Sequence, residues 1–306
     1  MKVGCVVVYG NKDIEVSFAE LRKNGFDNCQ LICWNPEGDY TDAVAERINK
    51  AKVEYGIEIT TLWAGWSGPA VWDFYEGHET LGLLPVAYRA MRVNELMAGA
   101  QFATKIGVGS ITTHVGFIPE NPHSAEYHGL IAAIRAVAVR AKALGVEFRF
   151  ESGQETPVTL LRAIADIGTD NLGINLDPAN LIVYGKANPC DALDIIGKYV
   201  KGVHAKEGMY PTDGRFLGEE KPLGEGRVGF PLLIKKLKAL GYDGALTIER
   251  EIEGEQQTID ILNGKAFLEK IIAEKTGFGS VHYFSSVFKK HTGTTPKEFQ
   301  MLRRNV

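Results

Sequence analysis

The sequence predicts an α/β chain folded as a (β/α)8 TIM barrel with a short helical C-terminal extension. Three observations predict it. Strand-like and helix-like hydrophobic periods alternate about eight times along the chain. The resulting βα units occupy about 270 residues, a length that suits one closed barrel. The run at 146–151 alternates apolar and charged residues, which puts Glu147, Arg149 and Glu151 on one face. A parallel sheet covered on both sides tolerates three such charges only where they pair or bind something, as at the polar mouth of a barrel. A doubly wound open sheet is the competing architecture, because alternation alone does not prove closure.

The strand-like runs are 3–9, 29–34, 57–63, 106–114, 146–151, 172–177, 200–206 and 244–249. Helical periodicity is clearest over 41–55, 85–105, 124–144, 157–167, 191–198 and 230–240. Asn24-Gly25, Leu144-Gly145 and Leu240-Gly241 close helices before the next strand, because glycine tolerates the left-handed conformation needed there.

Composition narrows the class. The chain has 306 residues, 45% hydrophobic and 24% charged, which excludes collagen, mucin, coiled-coil and wholly disordered readings. A net charge of -4 argues against a globally basic nucleic-acid binder. The four cysteines, at 5, 29, 33 and 190, are too sparse for a disulfide framework. Cys5 and Cys33 sit in apolar runs and read as buried free thiols. The apolar run from Val3 to Val8 is too short for a signal segment, and no stretch of about 18 apolar residues occurs. A cytoplasmic protein with no membrane partner is expected.

The ends of the last four strands carry the chemistry. Glu151 ends the fifth, Asp177 the sixth, His204 lies in the seventh and Glu249 ends the eighth. In a closed barrel these ends meet at one mouth. Three carboxylates held together repel one another unless a cation neutralises them. Two Glu, one Asp and one His form an oxygen-rich set suited to Mn²⁺, Mg²⁺ or Co²⁺. The alternative is a set of separate ion pairs at strand ends.

These residues resemble the xylose isomerase-like barrel superfamily, over residues 1 to about 273. The resemblance rests on Asn175-Leu176-Asp177-Pro178-Ala179-Asn180, Val203-His204-Ala205-Lys206, Pro222-Leu223-Gly224-Glu225-Gly226 and Thr247-Ile248-Glu249. The superfamily includes sugar and sugar-phosphate isomerases, ketose 3-epimerases, dehydratases and endonuclease IV. The resemblance implies one divalent metal, Mn²⁺ foremost with Mg²⁺, Co²⁺ or Zn²⁺ as others, held by Glu151, Asp177, His204 and Glu249. It also implies that Glu151 and Glu249 form an acid/base pair acting through a cis-enediolate. The expected activity is a sugar or sugar-phosphate isomerase or epimerase, with a small-molecule substrate. An inosose- or dehydroshikimate-type dehydratase is the same-fold alternative. A non-catalytic barrel fused to an interaction or DNA-binding tail is the alternative of another class.

Further candidates surround this set. Lys206 shares a strand face with His204 and could neutralise an oxyanion, a substrate phosphate or the nearby carboxylates. His114 could bond a substrate hydroxyl, or be a satisfied core histidine. Arg227 is a loop candidate for substrate contact. Trp63 and Trp66 could wall a sugar ring, with core packing accounting for at least one. Asn180 stands where some 3-epimerases have a histidine near the substrate. Gly224-x-Gly226-x-x-Gly229 matches a dinucleotide fingerprint but follows Lys221-Pro222 rather than a strand, so we reject it.

The last segment has another character. Residues 276–306 carry a net charge of +4, which leaves the other 275 near -8. The stretch 277–299 resembles the end of an AraC-type helix-turn-helix regulator. The expected domains are therefore a barrel over 1–275 and a helical tail over 276–306, with 267–275 shared between them. The tail reads as a product of recombination; it is too small to stand alone, and retained DNA binding is not expected. A homodimer is compatible with the sequence.

Overall fold

The computed structural model describes residues 1–274, Ser285, Lys289, Lys290 and residues 294–296. The expected tail helices over 276–306 lie largely outside the described residues.

The first half of the chain runs β1 (Lys2–Val8), α1 (Ile14–Lys23), β2 (Asn28–Cys33), α2 (Pro36–Asp39), α3 (Asp42–Tyr55), β3 (Glu58–Ala64), α4 (Gly77–Thr80), α5 (Val86–Lys105), β4 (Ser110–Thr113) and α6 (Ala125–Ala143). The second half continues with β5 (Glu147–Glu151), α7 (Pro157–Ile167), β6 (Leu172–Leu176), α8 (Pro178–Val183), α9 (Pro189–Ile196) and β7 (Val200–Ala205). The short strands β8 (Glu207–Gly208) and β9 (Glu220–Lys221) precede α10 (Phe230–Ala239), β10 (Ala245–Ile248) and α11 (Glu255–Glu274).

Eight parallel strands close in the order β1-β10-β7-β6-β5-β4-β3-β2. Because β1 pairs with both β2 and β10, the open-sheet alternative fails. The pair β8–β9 forms a separate antiparallel ribbon in the loop after β7.

The alternation that predicted closure is visible in β5. Phe148 and Phe150 are buried, while Glu147 and Arg149 pair at 2.7 Å. Helix starts are set by side chains that accept orphan backbone N–H bonds: Ser124 from Tyr127, Thr156 from Thr159 and Asn188 from Cys190. The fourth strand is shorter than the expected 106–114. Ile106 caps α5 and Gly107 turns with φ +66°, so extended pairing begins only at Ser110. All four cysteines are free and buried. No helix among the described residues is long and apolar enough to cross a membrane.

Candidate metal centre

Three carboxylates and one imidazole meet at the C-terminal mouth of the barrel. Glu151 ends β5, Asp177 follows β6, His204 sits in β7 and Glu249 follows β10. One ligand-type atom from each lies within 4.8 Å of the others. His204 Nδ1 is 2.8 Å from Glu151 Oε1, 3.2 Å from Glu249 Oε2 and 3.9 Å from Asp177 Oδ2. Glu151, Asp177 and His204 are buried.

The local chain geometry aims these atoms. Asp177 caps α8: its Oδ1 accepts from the Asn180 backbone N–H at 2.8 Å, which leaves Oδ2 for the cluster. Glu151 Oε2 accepts from the Trp63 indole N–H. On its other side, His204 Nε2 is 2.8 Å from Gln30 Oε1, and Gln30 Nε2 donates to Asn175 Oδ1 at 2.8 Å. That amide orientation assigns the imidazole proton to Nε2 and leaves a lone pair on Nδ1. Gly202 makes the arrangement sterically feasible, since a Cβ there would stand 2.3 Å from Asn175 Oδ1.

Asp177 Oδ2, His204 Nδ1 and Glu249 Oε2 are buried without a hydrogen bond of acceptable geometry. Burial opposes charge on His204, yet the adjacent Glu151 and Glu249 carboxylates lift its pKa well above the usual imidazole value. Burial pushes Glu249 up, but His204 and Lys206 outweigh it and hold the carboxyl well below the usual range. The cluster therefore demands positive charge where the orphaned atoms converge. A divalent ion meets that demand with the correct donor types.

Lys206 is buried and faces the acids. Its Nζ lies 2.7 Å from Glu251 Oε1, 3.2 Å from Glu249 Oε2 and 3.7 Å from Asp177 Oδ2. Burial would release its proton, but those three carboxylates raise its pKa well above the normal lysine value. Its contact to Asn180 Oδ1 is 3.4 Å. His114 places Nε2 3.7 Å from Glu151 and Nδ1 3.0 Å from Gln154 Oε1.

A cavity of about 670 Å³ opens beside the cluster, with Trp63, His114, Glu151, Asn180 and Glu249 on its wall. Three expected substrate contacts are not on this wall: Lys206, which faces the acids instead, Trp66 and Arg227. Trp66 does not line this cavity; it is buried beneath the Arg92 guanidinium, 4.1 Å from its ring centroid. Arg227 is exposed and likewise outside the cavity wall, and its backbone N–H donates to Gly208 O. The glycines of the rejected dinucleotide fingerprint wrap a carboxylate instead. Glu207 accepts from the Val228 N–H at 2.8 Å and the Gly224 N–H at 3.3 Å.

Sequence reasoning missed Gln30, Asn175, Trp72 and Glu251. For Gln30 and Asn175 a signal existed: each is an amide inside an otherwise apolar strand.

Residues 18–271 match the model of the xylose isomerase-like TIM barrel family. The chain belongs to this family. Residues 270–301 match the model of bacterial regulatory helix-turn-helix proteins of the AraC family. A solved xylose isomerase domain protein from Planctomyces limnophilus is 31% identical, with a TM-score of 0.84, covering 90% of this chain and 98% of that one. A D-tagatose 3-epimerase-like protein shares the barrel at 20% identity and a TM-score of 0.71, covering 90% of this chain and 99% of its own. An uncharacterized protein of Methanocaldococcus jannaschii is 30% identical over 177 residues. That match spans 54% of this chain and 58% of the curated relative.

Proposed function

We propose that this family member is a divalent-metal-dependent sugar isomerase or epimerase. The observation that carries the proposal is the convergence of Glu151, Asp177, His204 and Glu249, with orphaned buried atoms turned toward one point. These four residues would hold the ion. When bound there, it would polarise the carbonyl of a chelating hydroxy-ketone and make the adjacent C–H acidic.

The protein's own groups do the proton work. Glu151 and Glu249 come from strands separated by β6 and β7 in the closed sheet, so they reach a substrate from different sides. One removes the proton next to the carbonyl and the other returns it. Return to the opposite face of the same carbon gives epimerisation; return to the neighbouring carbon gives isomerisation. Lys206 keeps Glu249 ionised between turnovers. Trp63 and His114 hold Glu151 in place.

The test is NMR in D2O with the metal-loaded protein and a panel of ketoses. Deuterium entering the carbon next to the carbonyl supports enolisation. Loss of water without exchange into recovered sugar assigns a dehydratase. Neither outcome, with metal bound, overturns the proposal.

A further inference from the structure

We infer that the substrate is an uncharged polyhydroxylated ring rather than a phosphate ester, and that it lies against a tryptophan wall formed by Trp34, Trp63 and Trp72. This inference rests on the function proposed above and narrows its substrate class.

The first observation is the charge around the site. Glu151, Asp177, Glu249 and Glu251 supply four carboxylates against the single ammonium of Lys206. A divalent ion still leaves that group one negative charge in excess. The lysine and arginine on the cavity wall among the described residues are ion-paired, although Arg250 Nη1 makes no hydrogen bond of acceptable geometry. Lys12 Nζ lies 2.8 Å from Glu20, and Arg250 lies 3.1 Å from Glu220 and 2.8 Å from Asp260. A phosphate dianion would meet net repulsion, and the one guanidinium on the wall among the described residues, that of Arg250, is already neutralised by two carboxylates.

The second observation concerns backbone donors, the other common means of holding phosphate. The glycine-rich loop after β9 directs two of its N–H groups at the Glu207 carboxylate. The first turn of α8 is capped by Asp177 itself. These two sets of backbone donors at the mouth are thus taken by the chain's own acids.

The third observation is the aromatic wall. Trp34 and Trp63 have ring centroids 4.5 Å apart, and the Trp72 ring lies 4.9 Å from that of His114. All four line the cavity, and Trp34 and Trp72 remain 37% and 39% exposed. Aromatic faces carry partial negative charge and favour the polarised C–H groups of a sugar ring over an anion. The wall and the acidic rim thus select the same class of molecule.

The experiment uses the manganese-loaded full chain and follows tryptophan fluorescence. The probes are an unphosphorylated ketohexose, the same ketohexose bearing a terminal phosphate, and inorganic phosphate. The neutral sugar should saturate the signal and bind at least about tenfold more tightly than its phosphate ester. Inorganic phosphate should not compete with it. Trp72→Ala should weaken the neutral sugar about tenfold without changing manganese stoichiometry. Glu251→Lys should narrow the gap between sugar and ester. Equal or tighter binding of the ester, or no fluorescence response to the sugar, overturns the inference. Sugar binding without exchange in D2O would overturn the enolisation chemistry and leave this inference standing. Exchange only with the ester would do the reverse.

Discussion

Gln30 and His204 meet inside the barrel, with the amide oxygen of one 2.8 Å from Nε2 of the other. The contact decides which imidazole nitrogen faces the carboxylates. Gln30 is itself fixed by Asn175, so two amides from β2 and β6 set the protonation of a histidine on β7. Replacing Gln30 with Leu removes that constraint and leaves Nε2 without its acceptor. Manganese affinity should fall about 10- to 100-fold, the usual effect of losing a partner that orients a ligand. Calorimetric titration of the variant checks this; unchanged affinity would mean that the carboxylates alone orient the ring.

Glu249 carries the strongest kinetic prediction. Glu249→Gln keeps the shape but removes an acid/base group and one negative charge. Turnover of any accepted sugar should drop by at least about 100-fold, and metal binding should weaken with it. Deuterium exchange and metal titration on the same sample report the two effects separately. Unchanged turnover would remove Glu249 from the reaction.

Glu155 should make stability depend on pH. Burial pushes its carboxyl from 4.5 up to about 7, and its Oε1 has no hydrogen-bond partner. The folded protein therefore keeps this proton where the unfolded chain has released it. The stabilisation is complete below pH 4.5 and is lost as pH rises toward about 7. The lost part amounts to roughly 3 kcal/mol from the shift alone. Urea unfolding of Glu155→Gln between those pH values should show a flatter profile, with the variant more stable than the parent at pH 8. Parallel curves for the two proteins would refute this.

Much of this architecture can be read from residue order. Period changes mark the strands, and each cluster residue stands at the same place in successive βα units, so Glu151, Asp177, His204 and Glu249 are legible together. Their supports are not. Gln30 and Asn175 matter through a contact across the lumen, 145 positions apart in sequence, which no local pattern encodes. Trp63 and Trp66 look equivalent along the chain. One, inside β3, points its indole N–H at Glu151; the other, past the end of β3 at Ala64, packs under Arg92 of α5. Arg92 itself reads as an ordinary helical arginine.

Arg92 is completely buried and binds four carbonyls of the loop after β3. It donates to Ser67 O at 2.9 Å, Pro69 O at 2.9 Å, Thr80 O at 2.7 Å and Gly82 O at 2.7 Å. That loop carries Trp72 to the cavity wall. Arg92→Met would strand those acceptors and should cost about 3 kcal/mol or more. Arg92→Lys should fail to rescue it, because one ammonium cannot span a planar fork of donors. Denaturant midpoints give the stability change, and acrylamide quenching reports whether the tryptophans become more exposed. A Lys variant as stable as the parent would show that charge, not fork geometry, holds the loop.

The final prediction concerns the basic tail. We propose that the barrel is the folding and binding unit over residues 1–275, and that residues 276–306 form an attached segment. The described part of the molecule supports this division. Helix α11 reaches Glu274, contacts β1, β10 and α10, and is tied to the body by Lys265 Nζ on Asn24 O at 3.1 Å and by Lys238 Nζ on Ile272 O at 3.2 Å. The eighth βα unit is therefore complete before the AraC-like stretch has contributed more than the five residues from 270 to 274. A chain ending at Lys275 should unfold cooperatively and bind manganese with the stoichiometry of the full chain. Its melting temperature should fall within about 4 °C, equivalent to ~1 kcal/mol or less for a domain of this size. Loss of cooperative unfolding would show instead that the tail's apolar residues complete the barrel's packing. Salt-sensitive binding of duplex DNA by the full chain alone would assign the tail an electrostatic role beyond the enzyme.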